Sequence, residues 1–276
     1  IPIKILISGS SAFELNNQVG EPLVGRMSVF KLFPISQLEF NKSENSFETL
    51  AKLGDRLVYG GYPELLQMNS NSEKEKYLRE IMHSYLLKDI LAFEGIKKRD
   101  KILALLQMIA FRAGSEISLE GLGNELQISK NTVEKYLDLF SKVFIIYPLS
   151  GFNRNADNEI TRKKKWYFVD NGIRNALINR FSPIHAREDT GILWENYLQS
   201  ERMKKIEYLN YNSDSFFWRT TTRQEIDRIE VSEQTISAFE FKWGEKTKKI
   251  PPQFDKNYPG AEYLVVDRNN YLSFIA

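Results

Sequence analysis

The sequence predicts a multi-domain α/β chain, and three stretches carry that expectation. Near the C-terminal end, FFWRT–QEIDRIEV and TISAFEFKW read as two strands joined through the polar turn Ser232-Glu233-Gln234. In the middle, Ile117–Phe140 has the spacing and caps of a helix, a turn and a second helix. At the front, Ile3–Ile7 is a short apolar strand ending in Ser8-Gly9-Ser10-Ser11, where α/β folds place ligand-contacting side chains.

Composition bounds what such a chain does. Its 276 residues are 42% hydrophobic and 27% charged, with room for two or three small domains. The net charge of +2 sets up no global basic field, so a nucleic-acid partner has to be argued from local patches. The absence of cysteine removes disulfides, thiol catalysis and cysteine-ligated zinc, and it fits a cytoplasmic setting. With His83 and His185 as the only histidines, a histidine-built metal centre is disfavoured. No apolar run approaches ~18 residues and no signal peptide opens the chain, so no membrane partner is expected.

Taken in order, the strand Ile3–Ile7 leads through its Ser turn into a helical stretch at Ala12–Leu15; locally a plain turn with a serine N-cap is the favoured account of those serines. Gly25-Arg26 precedes a strand-like Ser28–Phe33, and Pro34 then marks a helix start. Gly60-Gly61 reads as a hinge feeding another helix. From Glu73 to Arg112 the apolar residues recur at helical spacing, a pattern of core packing rather than cofactor contact.

The helix–turn–helix follows. Ser118 caps the first helix with Leu119, Leu122 and Leu126 inward, and Ser129 caps the second with Val133, Leu137 and Phe140 inward. Strands at Val143–Leu149 and Trp166–Val169 complete a winged helix. Lys130, Asn131, Thr132 and Lys135 face outward at the start of the second helix, and Lys163, Lys164 and Lys165 lie on the wing, all placed to meet duplex DNA. Glu134 and Asp138 on the same helix suit the other use of this fold, protein packing.

In TISAFEFKW, Phe239, Phe241 and Trp243 share one face and Ala238, Glu240 and Lys242 the other. Glu240 and Lys242 stand ~6.8 Å apart along the strand. Asp227 on the preceding strand faces them, and Glu195 on a helix at 191–198 offers a third carboxylate. An acid, then Glu-x-Lys, is the core of the PD-(D/E)xK nuclease constellation. Its carboxylates (Glu195, Asp227 and Glu240) hold a hard divalent cation, here Mg²⁺, and the lysine steadies the attacking water or the phosphate. A solvated strand face with an ordinary cross-strand charge pair accounts for the same residues.

The runs ILISGSS, LVGRMSVFKLFPISQLEF and YGGYPELL, and later Trp166–Leu177, resemble in order and spacing a large family of prokaryotic AAA+-type ATPases. That resemblance spans nearly the whole chain. It implies an ATPase-core remnant over 1–58, a helical lid over 59–112, a winged helix over 113–180 and a restriction-endonuclease-like domain over 181–276. It also implies nucleotide-proximal roles for Ser10 and Arg26 in the intact protein, with Ser11 weaker. The phosphate-cradling motif G-x-x-x-x-G-K followed by Ser or Thr does not occur in the sequence, and Ile1 falls inside an apparent strand, so a portion of something longer is expected.

The expected function is that of the C-terminal part of such an ATPase, carrying a metal-dependent phosphodiesterase site and a winged helix for nucleic acid. A homo-oligomer suits this architecture. The alternative is a non-catalytic nucleic-acid or protein-binding module on a degenerate nuclease scaffold. ATP belongs only to the intact protein. Calorimetric titration of this chain with Mg·ATP is expected to show no binding in the micromolar range; micromolar affinity would contradict this reading.

Overall fold

The computed structural model describes residues 5–9, 28–86, 90, 99–152, 164–233, 235–244 and 248–276. Ser10, Ser11, Arg26 and Lys163, and the helix expected at Ala12–Leu15, lie outside them. Among the described residues are ten α-helices and one six-stranded mixed sheet. No helix among them is long and apolar enough to cross a membrane.

Over the described residues, 5–9 and 28–33, the first strands expected from sequence are not formed. Residues 5–9 and 28–33 have no regular structure, and Ile5, Leu6, Ile7, Val29, Phe30 and Leu32 are exposed. A two-faced apolar strand needs neighbours on both edges, and no described strand lies alongside to take its backbone hydrogen bonds.

Among the described residues the first regular element is α1 (Gln37–Phe40), which Ser36 and Glu39 close as a reciprocal capping box. An Asn45–Glu48 box then starts α2 (Ser46–Tyr59). The Gly60-Gly61 turn is a packed joint. Gly60 takes φ +78°, and a Cβ there would lie 2.1 Å from Asp170 Oδ1. Gly61 N–H donates to Asp170 Oδ2 at 2.8 Å, while Asp170 Oδ1 accepts from Gly172 and Ile173 at the start of α7 (Asn171–Leu177). One carboxylate therefore locks the α2 end to the α7 start. Pro63–Gln67 forms a 3₁₀ turn rather than the expected α-helix.

Next come α3 (Asn71–Glu80), which continues as a wider helix over Ile81–Leu86, and α4 (Arg99–Phe111). The serine-capped pair α5 (Leu119–Leu126) and α6 (Lys130–Lys142) forms as read. Ser118 Oγ accepts from Gly121 and Ser129 Oγ from Thr132, each at 3.1 Å. Their inward faces, Leu122, Leu126, Val133, Leu137 and Phe140, join a core running from Val58 to Phe181 without a break at the expected 112/113 boundary.

Strands β1 (Ile146–Gly151) and β2 (Lys164–Phe168) pair antiparallel. The sheet does not stop there, because β1 also pairs in parallel with β3 (Asp214–Arg219), giving the order β2-β1-β3-β4-β5-β6. The expected 180/181 boundary thus falls inside a sheet shared by both halves. FFWRT–QEIDRIEV is two strands, β3 and β4 (Glu225–Val231), folded back through a turn in which Arg223 takes φ 64°. The remaining elements are β5 (Ile236–Phe241), α9 (Pro252–Asn257), β6 (Glu262–Val266) and α10 (Tyr271–Ile275).

Helix α8 (Thr190–Leu209) lies across this sheet and positions the site. Trp194, Tyr197 and Leu198 pack with Phe241, Phe274 and the partly buried Phe239 and Trp243. The aromatic face of β5 is therefore the helix-covered face, as the alternation predicts. On the other side Ala238 joins Trp218, Ile226, Ile229 and Phe254. Asn196 fixes α8 to β2: its side chain accepts from Phe168 N–H at 2.8 Å and donates to Phe168 C=O at 3.0 Å.

Candidate metal centre

Strands β4 and β5 are in register with Arg228 opposite Phe239, which sets Asp227 opposite Glu240 one step further. The backbone ladder ends there and the Asp227 carboxylate takes its place, Oδ2 accepting from Phe241 N–H at 2.8 Å. Gln199 of α8 donates to the Asp227 carbonyl at 2.8 Å and so fixes the same residue from its backbone side.

Asp227 is half-buried, and its carboxyl is pushed up to about 8 by loss of hydration and by the neighbouring charges of Glu195 and Glu240. Lys165 and the Phe241 amide offset this only in part. Glu240 is buried. Its Oε1 accepts from Lys242 at 2.6 Å and from Lys248 at 2.5 Å, whereas its Oε2 is buried with no hydrogen-bond partner.

Glu195, in the first turns of α8, does face the site. Its Oε1 accepts the Tyr167 hydroxyl at 2.7 Å and lies 3.5 Å from Lys165 Nζ. Both contacts fall on the same oxygen, Oε1. Lys165 is only 2% exposed and turns into the cluster instead of outward from a wing, reaching Glu225 at 2.5 Å. Burial would lower its pKa, but the carboxylates of Glu195, Asp227 and Glu225 outweigh that and raise it. The expectation that Lys165 meets duplex phosphates is corrected accordingly. Tyr263 of β6 lies in the same field; burial, then Glu240 and Asp227, raise its phenol, whose oxygen has no partner.

Sequence reading thus missed Glu225, Lys248, Tyr167 and Tyr263. Glu225 had a signal, since it stands two residues before Asp227 on one strand. The other three reach the site only through tertiary packing. Arg228, the residue after Asp227, donates to Glu230 (2.6 Å), Gln199 (2.7 Å) and Ser215 (2.6 Å).

Among the described residues no three His, Cys, Asp or Glu side chains gather into a group that would hold a metal alone. A hard cation of the Mg²⁺ type does not require one. It keeps several waters and is held by one or two carboxylates together with substrate phosphate. Asp227 and Glu240 fit that pattern: one carboxylate resists ionisation without a cation, and the other carries a buried, unsatisfied oxygen.

Two family models match the chain. Residues 50–183 match a family described as "Domain of unknown function (DUF8612)", and residues 190–274 match "Domain of unknown function (DUF4143)". The second match covers α8 and β3–β6 and so contains Glu195, Asp227, Glu240 and Lys242. An uncharacterized protein of Haemophilus influenzae is 27% identical over 205 residues, 71% of this chain and 51% of that protein. One from Methanocaldococcus jannaschii is 26% identical over 231 residues, covering 76% of this chain and 52% of the relative. One from Mycobacterium tuberculosis is 23% identical, covering 82% and 49%. The chain therefore spans about half the length of the curated relatives it matches. No solved structure matches it.

Proposed function

We propose that this chain is part of an AAA+-type ATPase and carries a Mg²⁺-dependent phosphodiesterase site of the PD-(D/E)xK kind, next to a winged helix that contacts nucleic acid. The supporting observation is the pairing of Asp227, whose carboxyl burial and two acidic neighbours push to about 8, with the unsatisfied buried oxygen of Glu240. When bound, the divalent cation would supply Lewis acidity to a phosphate oxygen and a more acidic water. Asp227 and Glu240 would hold it. Lys242, with a side chain 32% exposed, has the freedom to swing from Glu240 to the phosphate or the attacking water. Glu195 stands beside them, its orientation fixed by the Tyr167 hydroxyl.

Incubating the protein with labelled DNA and Mg²⁺ or Mn²⁺ tests this reading. Cleavage that stops on chelation supports it, and no cleavage with either ion defeats it.

A second reading has its own support. Lys242 and Lys248 already neutralise Glu240, and Lys165 neutralises Glu225, as in a scaffold that has replaced a metal by internal ammonium groups. A non-catalytic binding module would follow.

For nucleic acid, the surface start of α6 is the candidate contact. Asn131 and Lys135 are exposed, Lys130 pairs with Glu120 at 3.0 Å, and Thr132 Oγ1 lies 2.8 Å from the capping Ser129 Oγ. Replacing Lys130, Lys135 and Lys164 by Ala is expected to reduce the slope of log K against log salt by about 0.9 for each phosphate contact removed. An unchanged slope would assign this face to solvent or to protein packing. Lys165→Ala should leave the slope unaltered because its ammonium is buried.

A further inference from the structure

Three lysines enter the acidic cluster, and they are not equivalent. The side chains of Lys242 and Lys248 are 32% and 39% exposed and can leave Glu240 by rotating into water. Lys165 has no such exit. Its side chain is 2% exposed, and its Nζ lies 5.3 Å from the centroid of the Phe217 ring. Its backbone is held on both sides, by Leu149 across β1 and by a bridge to Glu116. The strand that carries it belongs to the hairpin after the helix–turn–helix, whereas the carboxylates it meets come from α8 and β4.

We propose that Lys165 is a positioning residue of the metal centre: a fixed internal counter-ion, carried in on β2, that holds Glu195 and Glu225 back from the divalent cation and leaves Asp227 and Glu240 to bind it. The inference rests on the metal-site reading and deepens it. Glu195 and Glu225 meet on Lys165, and Glu195 is also one of the two acids whose charge acts on Asp227, so without an internal cation these two would draw the ion away from Asp227 and Glu240. With Nζ at 2.5 Å from Glu225 and 3.5 Å from Glu195, Lys165 engages these two by direct contact, whereas Asp227 meets only its longer-range charge and Glu240 is held by lysines that can leave. Removing it makes the pocket more negative by one charge. Glu225 is not left bare, since Arg219 lies 3.7 Å from its other oxygen.

The test is Mn²⁺ affinity, read as free Mn²⁺ by electron paramagnetic resonance, with no substrate and no turnover. Lys165→Met is expected to bind Mn²⁺ more tightly than the wild type, by roughly ten-fold. Lys165→Arg keeps the charge and should stay close to wild type. Damage to the fold would weaken binding, so tightening separates the proposal from a merely structural role. Equal or weaker Mn²⁺ binding by a folded Lys165→Met protein would overturn it. If circular dichroism shows that this variant does not fold, Glu225→Gln decides. Losing its nearest carboxylate turns the Lys165 ammonium wholly onto Glu195 and Asp227, so Mn²⁺ should bind several-fold more weakly, and unchanged or tighter binding overturns the proposal. No Mn²⁺ binding by wild type or variant would instead remove the metal site itself, whereas equal affinities remove only the role of Lys165.

Discussion

Asp227→Asn is expected to abolish divalent-dependent cleavage while raising stability at alkaline pH. Asn matches Asp in size, and its amide oxygen can still accept from the Phe241 N–H that Asp227 Oδ2 now holds at 2.8 Å. What disappears is a ligand charge worth several kcal/mol of transition-state stabilisation, a loss on the order of 10³-fold or more in rate. The stability effect has the opposite sign. Desolvation and the charges of Glu195 and Glu240 push the Asp227 carboxyl up to about 8 in the fold, against about 3.9 in an unfolded chain. The native state therefore binds the extra proton, and stability declines as pH rises from near 4 to near 8. In Asp227→Asn that decline is absent, so the variant should outlast the wild type in urea at pH 9 and equal it near pH 4. Single-turnover cleavage and urea melts at the two pH values check both halves. A variant that cleaves at the wild-type rate would remove Asp227 from the chemistry.

Asn196→Ala should cost about 3–5 kcal/mol of stability, because it leaves two buried backbone groups and a side chain unpaired, each in the lower part of the range of about 1–3 kcal/mol for such groups. Asn196 accepts from Phe168 N–H at 2.8 Å, donates to Phe168 C=O at 3.0 Å, and donates to Asn171 Oδ1 at 2.7 Å. The amide thus extends β2 sideways onto α8, much as another strand would. It also sets where the next residue, Glu195, meets Tyr167 and Lys165 of that strand. Asn196→Asp, similar in shape but unable to donate, should be no better than Ala, since it would turn a carboxylate toward the Phe168 carbonyl. The urea midpoint reports the loss. A change below about 0.5 kcal/mol, the usual range of surface substitutions, would mean that water replaces the amide.

How much of this was legible in sequence follows how local each cause is. The Ser118 and Ser129 caps were readable because a cap is chemistry within three residues. The faces of β5 were readable because strand alternation is fixed by the backbone, so Phe239 and Phe241 had to oppose Ala238 and Glu240. Lys165 was misread for the opposite reason. A run of lysines signals a solvated patch unless partners bury it, and Glu195 and Glu225 lie 30 and 60 residues further along the chain. The parallel pairing of β1 with β3, which joins the two halves in one sheet, likewise leaves no local mark. Ile5–Ile7 shows the limit of an apolar run as evidence: its composition suits a buried strand, yet its side chains face solvent.

The central claim is that Asp227 and Glu240 together hold a divalent cation. The most direct measurement is the anomalous diffraction of crystals grown with Mn²⁺. The account predicts one strong peak between the two carboxylates, with metal–oxygen distances near the ~2.1 Å of Mg²⁺-type sites, and with Lys242 and Lys248 displaced from Glu240. Crystals at high Mn²⁺ that show no peak there, with both lysines still on Glu240, would contradict it.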